Sequence, residues 1–309
     1  MKKNNNFNKY LYYLIYIILL IFLLCLIYIL FKPQNNIVKY YPKNIKYEQK
    51  IPKNIFQTYY TKNLPLNYKK ITNHLRKQNP EYKYYLFDDN DMNNFVKNNY
   101  PQYWNSFNYI ADDYIVAKSD FFRYMVIYHY GGVYFDIKSG CKIPLRYIIK
   151  PNDEFILPIW TTYNFNNYIR YINKVSYNKV ELYCQWVIIS IKNNPILKIL
   201  LDNINISIQN YNINKDGYGS KGVFNLTGPI KYQEIIDKYK DNYNLKIIYY
   251  NQLLNNNLIY SYFNKNYYDF MNCYINNANK NIGYCKHQSK NKKRYANLKT
   301  PIIKNNNSF

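Results

Sequence analysis

No Cys-x-x-Cys pair occurs in the 309 residues, although five cysteines do. That absence argues against a zinc-binding or thioredoxin-type site. No basic run of five or more residues occurs either, and no nucleic-acid fingerprint, despite 42 Lys and Arg against 18 Asp and Glu. The cations are scattered singly, and Lys, Asn, Ile and Tyr, which share AT-rich codons, are over-used together. The net charge of +24 is therefore read as a compositional bias, and no nucleic-acid partner is expected; a membrane-tethered nucleic-acid binder is the last of three functional readings. Such a field would still attract a small acidic substrate such as a nucleotide diphosphate. No internal repeat is visible, and histidine is scarce, with three residues.

One apolar run stands out. Residues 10–31 read YLYYLIYIILLIFLLCLIYILF without a charged side chain, and sixteen of the twenty-two are Leu, Ile or Phe. As a helix this run is about 33 Å long, enough for the hydrocarbon core of a bilayer. It has no polar face, which argues against a buried core helix, and no small-residue cleavage site, which argues against a removed leader. A single membrane span is expected, after a short basic tail (1–9) and before a polar stem (32–50). Lysines flank the run on both sides, so charge alone leaves its orientation open. The nine-residue tail favours a lumenal C-terminal domain in an endomembrane (Golgi- or ER-like) or an equivalent viral or host membrane.

The chain after residue 50 is long enough to bury one sizeable core. Strands are expected at Ile51–Tyr60, Glu81–Phe87, Val133–Asp136, Phe155–Trp160 and Leu245–Tyr249. Helices are expected at Leu66–Gln78, from Asp88 to about Asn98, over Ile110–Tyr130, over Tyr183–Lys192 and over 230–240. This alternation predicts an α/β domain over 51–290, with a mostly parallel sheet and helices on both faces. The Lys- and Asn-rich stretch 291–309 reads as a disordered tail.

The informative stretch runs from Lys118 to Gly140, KSDFFRYMVIYHYGGVYFDIKSG. Asp120 and Arg123 are three apart on a helix and so share a face, with Tyr124 beside them. After the Gly131-Gly132 turn a short strand ends in Asp136. In open α/β sheets ligands bind outside the carboxyl ends of the strands. A carboxylate delivered there can meet sugar hydroxyls or a metal-bound diphosphate, and an arginine fork can bind phosphate oxygens in pairs.

Ser119-Asp120-x-x-Arg123 followed by Tyr130-Gly131-Gly132-Val133-Tyr134-Phe135-Asp136 resembles the donor-site signature of glycosyltransferase family 32, shared with large clostridial glucosylating toxins. Residues 51–59 (IPKNIFQTY) resemble that family's opening Ile-Pro-Lys-x-Ile-His-Gln-Thr-Trp strand. Asn79-Pro80-Glu81-Tyr82, Asp88-Asp89, Gln185-Trp186, Asn194-Pro195 and Thr227-Gly228-Pro229 resemble later landmarks. The resemblance implies a GT-A (Rossmann-like) fold and a retaining hexosyltransferase. The donor would be a nucleotide sugar, with UDP or GDP as its nucleotide, and the acceptor a glycan, protein or lipid. Carried over by position, Gln57, Thr58 and Tyr59 would bind the nucleotide, with Tyr59 stacking on the base. Asp120 would meet the ribose or the sugar, Arg123 the sugar and phosphate side, and Asp136 would be the first carboxylate of the Asp-x-Asp element. His287 falls where many such folds place a late donor-site, metal-side histidine.

The pattern breaks at Asp136-Ile137-Lys138, where the family has Asp-x-Asp and a Mn or Mg ion. Three readings stay open. The protein is a catalytically inactive nucleotide- or sugar-binding membrane protein; or Asp88, Asp89 or Asp113 completes a metal site; or Lys138 replaces the ion electrostatically. Cys273 and Cys285 are either a disulfide in an oxidising lumen or buried free thiols.

Overall fold

The structure, a computed structural model, describes residues 12–24, 48–162, 180–250, 258–259 and 295–304. His287, Cys273 and Cys285 lie outside the described residues. The chain divides between Lys46 and Tyr47 into two units.

In the first unit, residues 12–24 form a helix, α1, with every side chain exposed. These thirteen residues are the central part of the apolar run 10–31. Among the described residues no helix is long and apolar enough to cross a membrane.

The second unit is built on a seven-stranded sheet. β1 (Asn54–Thr58) pairs in parallel with β2 (Lys83–Phe87) on one side and with β3 (Gly132–Phe135) on the other. β3 then pairs antiparallel with β7 (Val187–Ser190), and β7 with the first residues of β5 (Phe155–Thr162). The far end of β5 pairs antiparallel with β6 (Val180–Tyr183), and β8 (Lys246–Tyr250) runs parallel along β5's other edge. A separate ribbon joins β4 (Gly140–Cys141) to β9 (Leu258–Ile259). The sheet is thus mixed, not mostly parallel, because the stretch expected to be a helix before β8 instead enters the sheet as β6 and β7, each antiparallel to β5. The helix expected over Tyr183–Lys192 is absent for the same reason. Val187, Ile188 and Ile189 are all fully buried, a continuous apolar run that fits a central strand or a buried helix equally well. Pro195, expected to end that helix, opens another one, capped by the Asn194 side chain.

Alternation along the strands sends side chains to two cores. Phe56, Tyr134 and Ile188 enter the larger core, and Ile55, Val133, Phe135 and Ile189 the smaller one. The larger is covered by α3 (Asp89–Asn99), α4 (Pro101–Tyr109), α5 (Ile115–Tyr130), α7 (Pro195–Gln209), α9 (Gly219–Leu226) and α10 (Pro229–Tyr239). α8 (Ile213–Asp216) is a single turn between α7 and α9. The smaller core is covered by α2 (Leu66–Gln78) and α6 (Leu145–Ile148). Helices therefore lie on both faces, as expected.

Several boundaries follow from local chemistry. α2 stops at Asn79, ahead of Pro80. α3 starts with a capping box in which the Asp88 side chain accepts from the Asp91 N–H and the Asp91 side chain from the Asp88 N–H. α5, preceded by a 3-10 turn at Asp112–Tyr114, is buried on nearly every side. Phe121 and Phe122 are both fully buried, each contributing about 2 kcal/mol or more. The helix ends at Gly131 (φ 64°), and Gly132 (φ 118°) turns the chain directly into β3. A Cβ on Gly132 would sit 2.6 Å from the Asn54 carbonyl oxygen, so only glycine permits so close a crossing.

The segment 295–304, expected in a disordered tail, is packed on this body. Ile302 is fully buried and Leu298 nearly so, Ile303 bridges to Ile110, and the Ala111 N–H donates to the Ile302 carbonyl at 2.7 Å. Three apolar residues among the lysines and asparagines account for the docking. The stem's boundary shifts as well, since Gln49 donates to the Tyr82 hydroxyl and the Lys50 N–H to the Pro151 carbonyl.

Candidate active site

The i, i+3 pair on α5 and the tip of β3 converge. One guanidinium nitrogen of Arg123, Nη2, lies 3.0 Å from Asp120 Oδ1 and 3.4 Å from Asp136 Oδ1. The Asp120 and Arg123 side chains are 4% and 6% exposed while Asp136 is 25% exposed, so Asp136 is the open end of the cluster. The rest of Arg123 is held by protein. Its Nη1 donates to the Gln185 carbonyl at 3.0 Å and its Nε to the Ser119 carbonyl, and its plane lies over the Tyr134 ring, 5.0 Å from the centroid. These contacts use most of its N–H donors. As placed, Arg123 binds the two carboxylates together; the expected reach to a phosphate is not what its fork is engaged in.

A second layer fixes the first. Thr227 Oγ1 donates to Asp120 Oδ2 at 3.3 Å. The buried Tyr124 hydroxyl is shared between Gln185 Oε1 at 2.6 Å and the Thr227 carbonyl at 3.1 Å. Tyr124 thereby ties to α5 both the turn after β6 and the turn before α10. The Tyr134 hydroxyl lies 3.0 Å from Thr58 Oγ1 and reaches Asp136 Oδ1 at 3.4 Å. In the sequence Gln185 and Thr227 stand out only as landmarks, and Tyr134 carries no signal of a role. The spacing of 107 residues between Asp120 and Thr227 leaves no local pattern to find.

Other expected site residues are placed differently. Gln57 is fully buried: its Nε2 donates to the Asp136 carbonyl at 3.1 Å, and its Oε1 accepts from the Tyr84 hydroxyl at 2.9 Å. It therefore holds the strand tip from behind, and the amide expected to meet a nucleotide is engaged at both ends. Thr58 meets Tyr134. Tyr59 stands at the carboxyl end of β1 in a group of tyrosines, with ring centroids 4.5 Å from Tyr60 and 5.1 Å from Tyr68. Lys138 sits in the tight turn in which the Ser139 N–H donates back to the Asp136 carbonyl at 2.8 Å. A cleft of about 530 Å³ lined by Asn73, Arg76, Lys77, Pro80, Tyr82 and Tyr84 lies along α2 and β2, apart from this cluster.

Burial dominates the electrostatics. It pushes the Asp120 carboxyl up to about 7, against the pull of Arg123 and with a further push from Asp136. Burial opposes the charge of Arg123 too, but Tyr134, Asp136 and Asp120 together outweigh it and hold the guanidinium charged. Burial also keeps the Tyr124 and Tyr134 hydroxyls protonated.

Among the described residues the donor set does not fit a divalent ion. Among the described residues no group of three or more His, Cys, Asp or Glu side chains comes together that could hold one. Asp136 and Asp120 are already turned on one guanidinium nitrogen, and an ammonium group stands at the second position of the motif. Of the carboxylates considered as substitutes, Asp88 caps α3 and Asp113 is exposed on the 3-10 turn.

Residues 65–156 match the family model described as the glycosyltransferase sugar-binding region containing DXD motif. The chain is 39% identical over 95 residues to the mannosyl phosphorylinositol ceramide synthase SUR1 of Saccharomyces cerevisiae, covering 30% of this chain and 24% of that protein. It is 27% identical over 197 residues to inositol phosphoceramide mannosyltransferase 2 of Schizosaccharomyces pombe, covering 64% of this chain and 49% of that protein. A match of 27% over 226 residues to the initiation-specific alpha-1,6-mannosyltransferase of Candida albicans covers 62% of this chain and 54% of the relative. The chain thus spans about a quarter to a half of these relatives' lengths. Among solved structures, the PaToxG glycosyltransferase aligns at a TM-score of 0.42 with 19% identity, over 62% of this chain and 69% of that one.

Proposed function

We propose that this chain, which carries a glycosyltransferase sugar-binding region over residues 65–156, is a retaining mannosyltransferase that draws on a nucleotide-sugar donor. The observation that carries the reading is the convergence of Asp120, Arg123 and Asp136 at the carboxyl end of β3, inside the matched region. The proposed acceptor is a lipid bearing an inositol phosphate headgroup, the class that the names of several relatives share. GT-A topology is part of the same proposal, as is an anchor through residues 10–31 holding the catalytic unit on the lumenal side of an endomembrane.

Each group then has a task. The donor's sugar lies over Asp136, the least covered carboxylate, and Asp120 and Arg123 hold that carboxylate in place. Tyr59 offers its ring to the base. Fixed charges aimed at the departing diphosphate supply the main rate enhancement, since negative charge builds there as the glycosidic bond breaks.

The test uses the full chain in detergent with a panel of nucleotide sugars, including GDP-mannose and UDP-glucose, and an inositol phosphoceramide acceptor, with mass spectrometry of the products. Mannosylated lipid is the expected product, lost in Asp136→Asn. If no sugar is transferred or released from any donor, or the Asn variant equals the wild type, the reading fails.

A further inference from the structure

We infer that this chain handles the donor's diphosphate without a divalent ion, the Lys138 ammonium standing where an ion would be held. This rests on the transferase reading above and narrows it.

Three observations carry it. First, the position after Asp136-x is a lysine, on the turn that the Ser139 N–H closes onto the Asp136 carbonyl, so its backbone is fixed at the strand tip. Second, the motif's one remaining carboxylate, Asp136, shares Arg123 Nη2 with Asp120, and no group of three or more His, Cys, Asp or Glu side chains that could hold an ion assembles among the described residues. Third, the charges balance. Asp120, Asp136, Arg123 and Lys138 sum formally to zero. With a carboxylate at position 138 and a divalent ion, three negative charges, one guanidinium and two positive charges on the ion also sum to zero. The replacement therefore leaves the field met by a diphosphate unchanged in total.

The chemistry needs no more than that field. The bond between the anomeric carbon and the diphosphate oxygen breaks with its electron pair going to that oxygen. The acceptor hydroxyl oxygen bonds to the carbon, and its proton passes to the diphosphate. Nothing is oxidised or reduced. An ammonium with three donors can stabilise the departing oxygen as a point charge, although it cannot hold two phosphate oxygens in octahedral geometry as a metal does.

The experiment measures, on the full chain in detergent, sugar transfer with and without EDTA and with added Mn²⁺. Calorimetric binding of GDP and UDP is measured in the same conditions, with Mn²⁺ paramagnetic resonance as a direct count of bound ion. Expected are turnover within about twofold in EDTA, nucleotide affinity indifferent to Mn²⁺, and no tightly bound Mn²⁺. Lys138→Ala should lose about 10²-fold or more in turnover, and Lys138→Arg should keep most of it. Lys138→Asp should acquire Mn²⁺-dependent nucleotide binding. Wild-type activity that collapses in EDTA and returns with Mn²⁺, or a tenfold Mn²⁺ gain in nucleotide affinity, overturns the inference while the transferase reading stands. A chain that binds neither nucleotide and turns over no donor takes both down. The wild-type titrations decide the matter even if a variant fails to fold.

Discussion

Thr227 donates a hydrogen bond to Asp120 at 3.3 Å across 107 residues of sequence, and through it the turn before α10 supports the carboxylate that Arg123 holds. Thr227 is fully buried, so its hydroxyl has no water to fall back on. Thr227→Val should cost about 1–3 kcal/mol of stability and lower turnover, and Thr227→Ser should restore both. Denaturant unfolding alongside donor turnover checks this; equal behaviour of the Val and Ser variants would show that the hydroxyl is idle.

Asp120 makes stability depend on pH in a stated direction. Its carboxyl is raised from 3.8 to about 7 in the folded protein, so the folded state binds the proton more tightly than the unfolded one. The contribution is complete below about pH 4 and fades as pH rises through about 7. Asparagine at this position has no such dependence. The stability of the wild type relative to Asp120→Asn should therefore fall between pH 4 and 7, by at most about 1.4 kcal/mol per unit. A difference that stays flat or grows would contradict the burial of this carboxyl.

Arg123 is the cation between two carboxylates, and its fork also binds the Gln185 carbonyl. Arg123→Met should destabilise by about 3–5 kcal/mol, because two buried or half-buried negative charges lose their partner. Arg123→Lys keeps the charge and should cost less in stability. It cannot span all three acceptors, so its loss of turnover should stay large. Paired unfolding and kinetic measurements separate the two effects.

Gly132 crosses β1 so closely that any side chain is excluded. With φ at 118°, Gly132→Ala adds backbone strain to a 2.6 Å contact with the Asn54 carbonyl. The expected loss is about 3 kcal/mol or more, visible as a lowered melting temperature or failure to fold. A variant that melts with the wild type would show that the crossing can open.

Much of this architecture could be read before folding. Asp88 and Asp91 announced the start of α3, Pro80 the end of α2, and Gly131-Gly132 the passage from α5 to β3, because caps and turns act over three or four residues. The cluster's three members were legible too, since helix periodicity places Asp120 and Arg123 on one face and the strand delivers Asp136 to an edge. β6 and β7 were not legible: Val187-Ile188-Ile189 is apolar on both sides, and periodicity cannot separate a fully buried strand from a buried helix. The docking of Ile302 against α5's entry was hidden as well, by the lysines and asparagines around it.

Sequence by itself determined the helix face, the glycine turn and the Asp136-x-Lys138 substitution, because each is a matter of neighbours within a few bonds. Only the tertiary structure decided that Gln57 is sealed behind the strand tip, that Thr227 and Gln185 reach the cluster, and that Arg123 turns inward to join two carboxylates. Those outcomes depend on which distant segments exclude water from the same small volume, and burial of that kind has no local signature.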